Sequence, residues 1–145
     1  MNTKKMATWL LPWLFTAVMQ SFLQVAHAED PPAGRLGSVR IPMRVMADGK
    51  PLAPGTYQVR LTDEKAKPAA GQLEDLERWV EFVQSGEVKG RELATLIPAE
   101  DIKSIAETTP PAQGGASVHM LKSKDYLRIW IHRGDHHYLV HLPPG

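Results

Sequence analysis

There is no cysteine among the 145 residues of this chain, so it can hold no disulfide and no lipoprotein anchor at a cysteine. Charge of one sign is also lacking. Lys and Arg number 17 against 16 Asp and Glu, without the basic excess of a nucleic-acid binder. No apolar run beyond the first thirty residues is long enough to span a bilayer. A βαβ rhythm, an internal repeat and a low-complexity tract are all missing. So are a nucleophile elbow, a His-Glu zinc helix and a phosphate loop, and enzyme chemistry is therefore not expected.

What the chain does have begins at its start. Lys4 and Lys5 precede an apolar stretch, ATWLLPWLFTAVM, and Val25-Ala26-His27-Ala28 places small residues where a signal peptidase reads. This is the layout of a secretory signal over residues 1–28. A membrane span fits less well, because Pro12 and Gln20 interrupt the run. Cleavage after Ala28 removes two lysines and no acid, leaving 15 basic residues against 16 acidic ones. The remainder is one domain with length enough for a core. An exported domain without disulfides fits a bacterial envelope, periplasmic or secreted, better than a small animal secreted module.

Residues 29–38 (EDPPAGRLGS) read as a flexible arm, and residues 39–145 as a single β domain. Val39, Ile41, Met43 and Val45 alternate with Arg40, Pro42 and Arg44, and Pro42 argues for an edge strand. Asp48-Gly49 and Pro54-Gly55 are turn signals. Tyr57, Val59 and Leu61 form the inward set of the next strand. Residues 63–77 read as a charged surface loop with a short helical turn. RWVEFVQ and EVKGRELATLIP form a hairpin about Ser85-Gly86, with Gly90 a candidate bulge. Its carboxylates, such as Glu81 and Glu92, are expected to pair with Arg78 and Arg91. Residues 98–107 are the one helix candidate, opened by Pro98. Three strands follow: ASVHMLK, DYLRIWIH and HHYLVHL. The sum is a mainly β chain, an antiparallel β-sandwich or open barrel of about seven strands with one short helix.

The last hairpin carries the chemistry. Taking Gly134-Asp135 as a two-residue turn pairs Arg133 with His136, His132 with His137 and Leu127 with Leu142. Leu127, Ile129, Ile131, Tyr138, Val140 and Leu142 then share a core face, and a one-residue slip would destroy that sorting. The opposite face gathers Arg128, Trp130, Leu139, His132, His137 and His141. A turn at Ser123-Lys124 adds His119 beside Arg128; a three-residue turn would send His119 inward.

Two sites are open on that face. His132 and His137, opposed within about 5.5 Å at Cβ, could grip Zn²⁺ or Cu²⁺ with Asp135 or His119 as a further ligand. Arg128, Trp130 and His141 could instead hold a small molecule, a carbohydrate or a protein, with Trp79 a candidate extension of the platform. The bland alternatives are a solvated histidine pair and a tryptophan covered by other chain. On the binding reading, Trp130→Ala abolishes ligand binding with little loss of stability. The Arg133-Gly134-Asp135 triplet at the tip has the form of an adhesion motif, but Gly134 and Asp135 already serve the turn.

GKPLAPGTYQVRLT, ERWVEFVQSGEVKGRE and DYLRIWIHRGDHHYLVHLP together resemble a group of small exported bacterial proteins of uncharacterised function, over most of residues 39–143. That resemblance implies an envelope location and a β fold, and it implies no cofactor, substrate or catalytic residue. The expected function is an exported, non-enzymatic binding domain, with a periplasmic zinc or copper protein as the alternative.

Overall fold

The computed structural model describes residues 30–67, 70–71 and 77–145. The signal segment expected at 1–28 lies outside them, as do residues 68–69 and 72–76 of the expected loop and its helical turn. The elements are β1 (Gly34–Ile41), β2 (Val45–Ala47), β3 (Lys50–Leu52), β4 (Gly55–Lys65), β5 (Glu77–Gln84), β6 (Glu87–Pro98), α1 (Ile102–Ile105), β7 (Ala116–Met120), β8 (Leu127–Arg133) and β9 (His136–Leu142). Seven strands form one antiparallel sheet in the order β1-β4-β5-β6-β9-β8-β7, and β2-β3 is a separate small hairpin. The large sheet curls until it is nearly closed like a barrel. Of the two architectures expected, the open barrel is the one formed. Among the described residues no helix is long and apolar enough to cross a membrane.

Alternation builds the interior. Tyr57, Val59 and Leu61 of β4, Val80 and Phe82 of β5, and Ile129, Ile131, Tyr138, Val140 and Leu142 of the last hairpin all belong to one buried cluster. At roughly 1.5–3 kcal/mol for each large apolar side chain removed from water, this cluster is the main stabilising term in a chain without cross-links. The small hairpin turns at Asp48-Gly49, both with positive φ (47° and 73°), as a two-residue hairpin turn of the primed kind requires. It packs on β6 at Gly90, where an added Cβ would lie 3.3 Å from both Ala47 Cβ and Leu52 Cδ1.

The hairpin of β5 and β6 sets Glu81 opposite Arg91 through a two-residue turn followed by a register shift. Gln84 pairs with Glu87 and Val83 with Val88, whereas Phe82 pairs with Gly90, so Lys89 is the extra residue. Gly90 adjoins the bulge, where a side chain would press on Ala47 and Leu52 of the small hairpin.

Three expectations need correction. The flexible arm is shorter than 29–38, because β1 already starts at Gly34. Leu36 sits in the register shift of β1, 4% exposed, and anchors this segment in the core. The strand expected from Val39 through Val45 is two strands, β1 and β2, divided at Pro42, although β1 is an edge strand as Pro42 implied. The helix expected over 98–107 shrinks to Ile102–Ile105. Pro98 is not its first residue but the end of β6, opposite His136. Within the helix Ile102 is buried, whereas Ile105 is 56% exposed.

The connection from β6 to β7 decides what the functional face looks like. β9 and β8 lie between these two strands in the sheet, so residues 99–115 must pass over both, in Greek-key fashion. One end is tied where Ala99 N–H donates to the Asp135 carbonyl at 2.8 Å. At the other, Gly114 N–H donates to the His132 carbonyl at 2.7 Å, and His132 N–H to the Gly115 carbonyl at 3.0 Å. Ile102 and Trp130 are both buried, yet neither joins the main core cluster. His132 points to the outer face and its Nδ1 lies 3.0 Å from the Pro111 carbonyl, so the crossing segment, hereafter the strap, passes over the outer face of the barrel there.

Candidate ligand-binding face

The register of β8 and β9 places every residue of the last hairpin as the sequence predicts, from Arg133↔His136 to Leu127↔Leu142. Gly134 alone of the two turn residues has positive φ, at 60°, which suits a type II′ turn. β7 adds His119↔Arg128 and Ser117↔Trp130, so His119 lies on the outer face. β6 contributes Thr95 beside Leu139 and Ile97 beside His137. β5 and β6 pair Trp79 with Leu93, one step along from Ala94↔Val140. The outer face thus carries three cross-strand rows. The first is Trp79, Leu93, His141, Arg128 and His119. The second is Thr95, Leu139, Trp130 and Ser117. The third is Ile97, His137 and His132.

The strap divides these rows into a closed half and an open half. Trp130 is 3% exposed and His137 1% exposed, so the tryptophan platform expected to be open to a ligand is covered. The Trp130 indole N–H donates to His137 Nδ1 at 2.8 Å. That bond fixes His137 as a neutral imidazole with its proton on Nε2. Burial, followed by His132, pushes the His137 pKa below its ordinary value. His132 Nδ1 lies 3.0 Å from the Pro111 carbonyl oxygen, which can only accept, so Nδ1 of His132 carries the proton.

The two opposed imidazoles are stacked, with centroids 3.9 Å apart and planes inclined by 18°. A metal ion sits in the plane of each imidazole that binds it, along the nitrogen lone pair. Two nearly parallel planes one above the other do not converge on such a point. Chelation by His132 and His137 would require one ring to turn and surrender its hydrogen bond. Asp135 is exposed at the turn, and its charge bears on His136 rather than on His137.

In the open half, Arg128 Nε–H donates to His141 Nε2 at 3.0 Å, which makes His141 a neutral imidazole protonated on Nδ1. Burial first, then Arg128, then His119 lowers the His141 pKa. The Tyr126 ring meets the His141 ring edge-on at 6.1 Å and is itself exposed. Among the described residues no carboxylate lies within 4.0 Å of Arg128, whereas Arg60 and Arg78 each have one and Arg91 has two. His119 lies on the far side of Arg128, so the arginine is flanked by two imidazoles.

Trp79 lies in the same row, but Arg91 is stacked over it, with Cζ 3.8 Å from the ring centroid. Arg91 in turn donates to both Glu64 oxygens, at 3.1 and 3.2 Å. The ring face is thereby occupied. Glu81 takes Arg60 as its partner at 2.8 Å, not Arg78 or Arg91, because Arg60 and Glu81 are directly opposed on β4 and β5.

The sequence reading took Arg78 for an ion-pair partner of Glu81 or Glu92 and missed its burial. It is 4% exposed and donates twice to the Thr62 carbonyl, at 3.0 and 2.6 Å, and once to the Pro31 carbonyl. Its parity with Val80 and Phe82 was the available signal, since Arg78 falls on the inward face of β5. No protein-family model matches the chain, and neither a curated protein nor a solved structure does.

Proposed function

We propose that this is an exported, non-enzymatic binding domain of a bacterial envelope that takes an anionic group, a carboxylate or a phosphate, on the open half of its outer face. The observation that carries the reading is Arg128. Its Nε is held by a neutral His141, its terminal amino groups have no carboxylate partner among the described residues, and it is half-buried in the sheet rather than waving in solvent. A braced guanidinium presents a planar fork that matches a carboxylate or phosphate. His119 and Tyr126 flank it and supply further donors, and Leu93 gives an apolar shoulder. The signal layout of residues 1–28 supports export, and the lack of cysteine in an exported domain supports a bacterial envelope.

The test is a nitrogen-15 NMR titration with inorganic phosphate and, separately, with succinate. Saturable shifts centred on Arg128, His141 and His119 are expected. Arg128→Gln should weaken them by at least about tenfold, equivalent to roughly 1.4 kcal/mol. Saturable binding centred elsewhere, or shifts that Arg128→Gln leaves unchanged, would refute the assignment.

A further inference from the structure

The closed half of the outer face poses a separate question, independent of any ligand on Arg128. A tryptophan and an imidazole are buried together on the outside of the barrel, the imidazole stacked against His132, which the strap holds through Pro111. Ile102 is the one buried apolar residue among 99–115. The ties to the hairpin are the Ala99–Asp135 bond at one end, the Gly114 and Gly115 bonds at the other, and His132–Pro111 between them.

We propose that the strap is an acid-released cover, in which protonation of His137 breaks its bond to Trp130 and lifts residues 99–113 off the outer face. The chemistry follows from the tautomer. Neutral His137 already carries a proton on Nε2, so an added proton must go to Nδ1, the atom that accepts from the Trp130 indole. Two N–H groups then face each other across 2.8 Å, and the bond is lost.

The new cation also has no counter-charge. β6 offers Ile97 and Thr95. β8 offers Trp130 and His132, whose effect opposes the charge. Arg128 and Arg133 of β8 are cations themselves. On β9, His141 belongs to Arg128, and His136 lies on the opposite face with Asp135 acting on it. The strap's own charged groups, Glu100, Asp101, Lys103 and Glu107, are all exposed to solvent. A buried cation without a partner is strongly disfavoured, and water lies on the other side of the strap. Lifting a segment anchored by one isoleucine and a few hydrogen bonds is a local opening that leaves the main core intact. Once lifted, it exposes Trp130 and both imidazoles beside the row that holds Arg128.

Hydrogen exchange at pH 7.5 and 5.0, corrected for the intrinsic pH dependence of exchange, tests this on the wild-type protein and two variants. His137→Gln keeps an acceptor for Trp130 but takes no proton; His136→Gln removes the neighbouring buried imidazole. Protection over residues 99–113 should fall by about tenfold or more at pH 5.0 while Ile129 and Val140 stay protected. The fall should vanish in His137→Gln and persist in His136→Gln. Unchanged strap protection, an equal loss at Ile129 and Val140, or a loss that survives His137→Gln would each overturn the proposal. If His137→Gln does not fold, the wild-type Trp130 indole N–H resonance decides. It must shift with the same pH midpoint as strap opening, and a different midpoint also overturns the proposal.

Discussion

Trp130 and His141 both depend on one hydrogen bond each, and each bond gives a measurable consequence. Because Trp130 is buried, Trp130→Ala should destabilise the domain by about 3–5 kcal/mol, rather than acting on ligand binding alone. Trp130→Phe keeps the ring but leaves His137 Nδ1 without its donor, a loss of roughly 1–3 kcal/mol. Urea unfolding of both variants checks the order, and a Trp130→Phe protein as stable as wild type would show that the indole–imidazole bond contributes nothing. At His141 the nearby guanidinium is one of the causes that lower its pKa. Arg128→Ala should therefore move the His141 pKa upward, toward about 6.5, in an NMR titration; a downward shift would show that Arg128 does not face it. Titration with Zn²⁺ or Cu²⁺ should give no tight one-to-one binding that depends on both His132 and His137, since their stacked planes do not converge. Which residues share this face was legible in the sequence, because a period of two and a Gly-Asp turn leave one register that sorts Leu127 through Leu142. Whether the face was open was not legible. Nothing in a strand's own alternation says that a loop some twenty residues upstream will cross it.

The strands and turns were read well where turn chemistry is local. Ser85 and Gly86, with φ of 50° and 76°, form the two-residue turn that the Ser-Gly pair suggests. The bulge at Lys89 was only hinted at by Gly90, since its cause lies in the small hairpin packed against β6. That contact makes Gly90 the test of the element. A side chain there meets Ala47 and Leu52 at 3.3 Å, and both belong to the buried core. Gly90→Val should therefore lower stability by about 1–3 kcal/mol through overpacking, measured as a fall in the urea midpoint. A variant as stable as wild type would mean that the small hairpin yields freely and is not part of the core. The helix expected over 98–107 failed for a related reason. Its Pro, Glu and Asp do resemble a helix start, but β6 needs Ile97 and Pro98 to complete its pairing with His137 and His136. Only one turn remains once those residues are committed to the sheet.

Arg78 joins the N-terminal segment to the barrel, binding Pro31 on one side and the bulged end of β4 on the other. The buried histidines make stability a property that pH can read across the whole fold. His136, His137 and His141 each have a pKa below the ordinary value, with burial the largest cause in every case. The sign follows from linkage. Above the unfolded value of about 6.5 these groups are neutral in both states and folding is unaffected. Below it the unfolded chain takes up protons that the folded barrel refuses, so stability falls as pH drops, until the folded-state values are reached. Asp30 is shifted downward as well, but it is exposed, its ion pair with Lys65 is a surface pair of small weight, and its loss falls at lower pH than that of the histidines. The expected result is a lower urea midpoint at pH 5.0 than at pH 7.5, with the slope unchanged. His136→Gln and His141→Gln should each reduce the difference between the two midpoints, because each removes one group that the unfolded state protonates first. Equal midpoints at the two pH values would mean that the histidines reach water in the folded barrel as readily as in the unfolded chain. That result would also remove the physical basis for an acid-released strap.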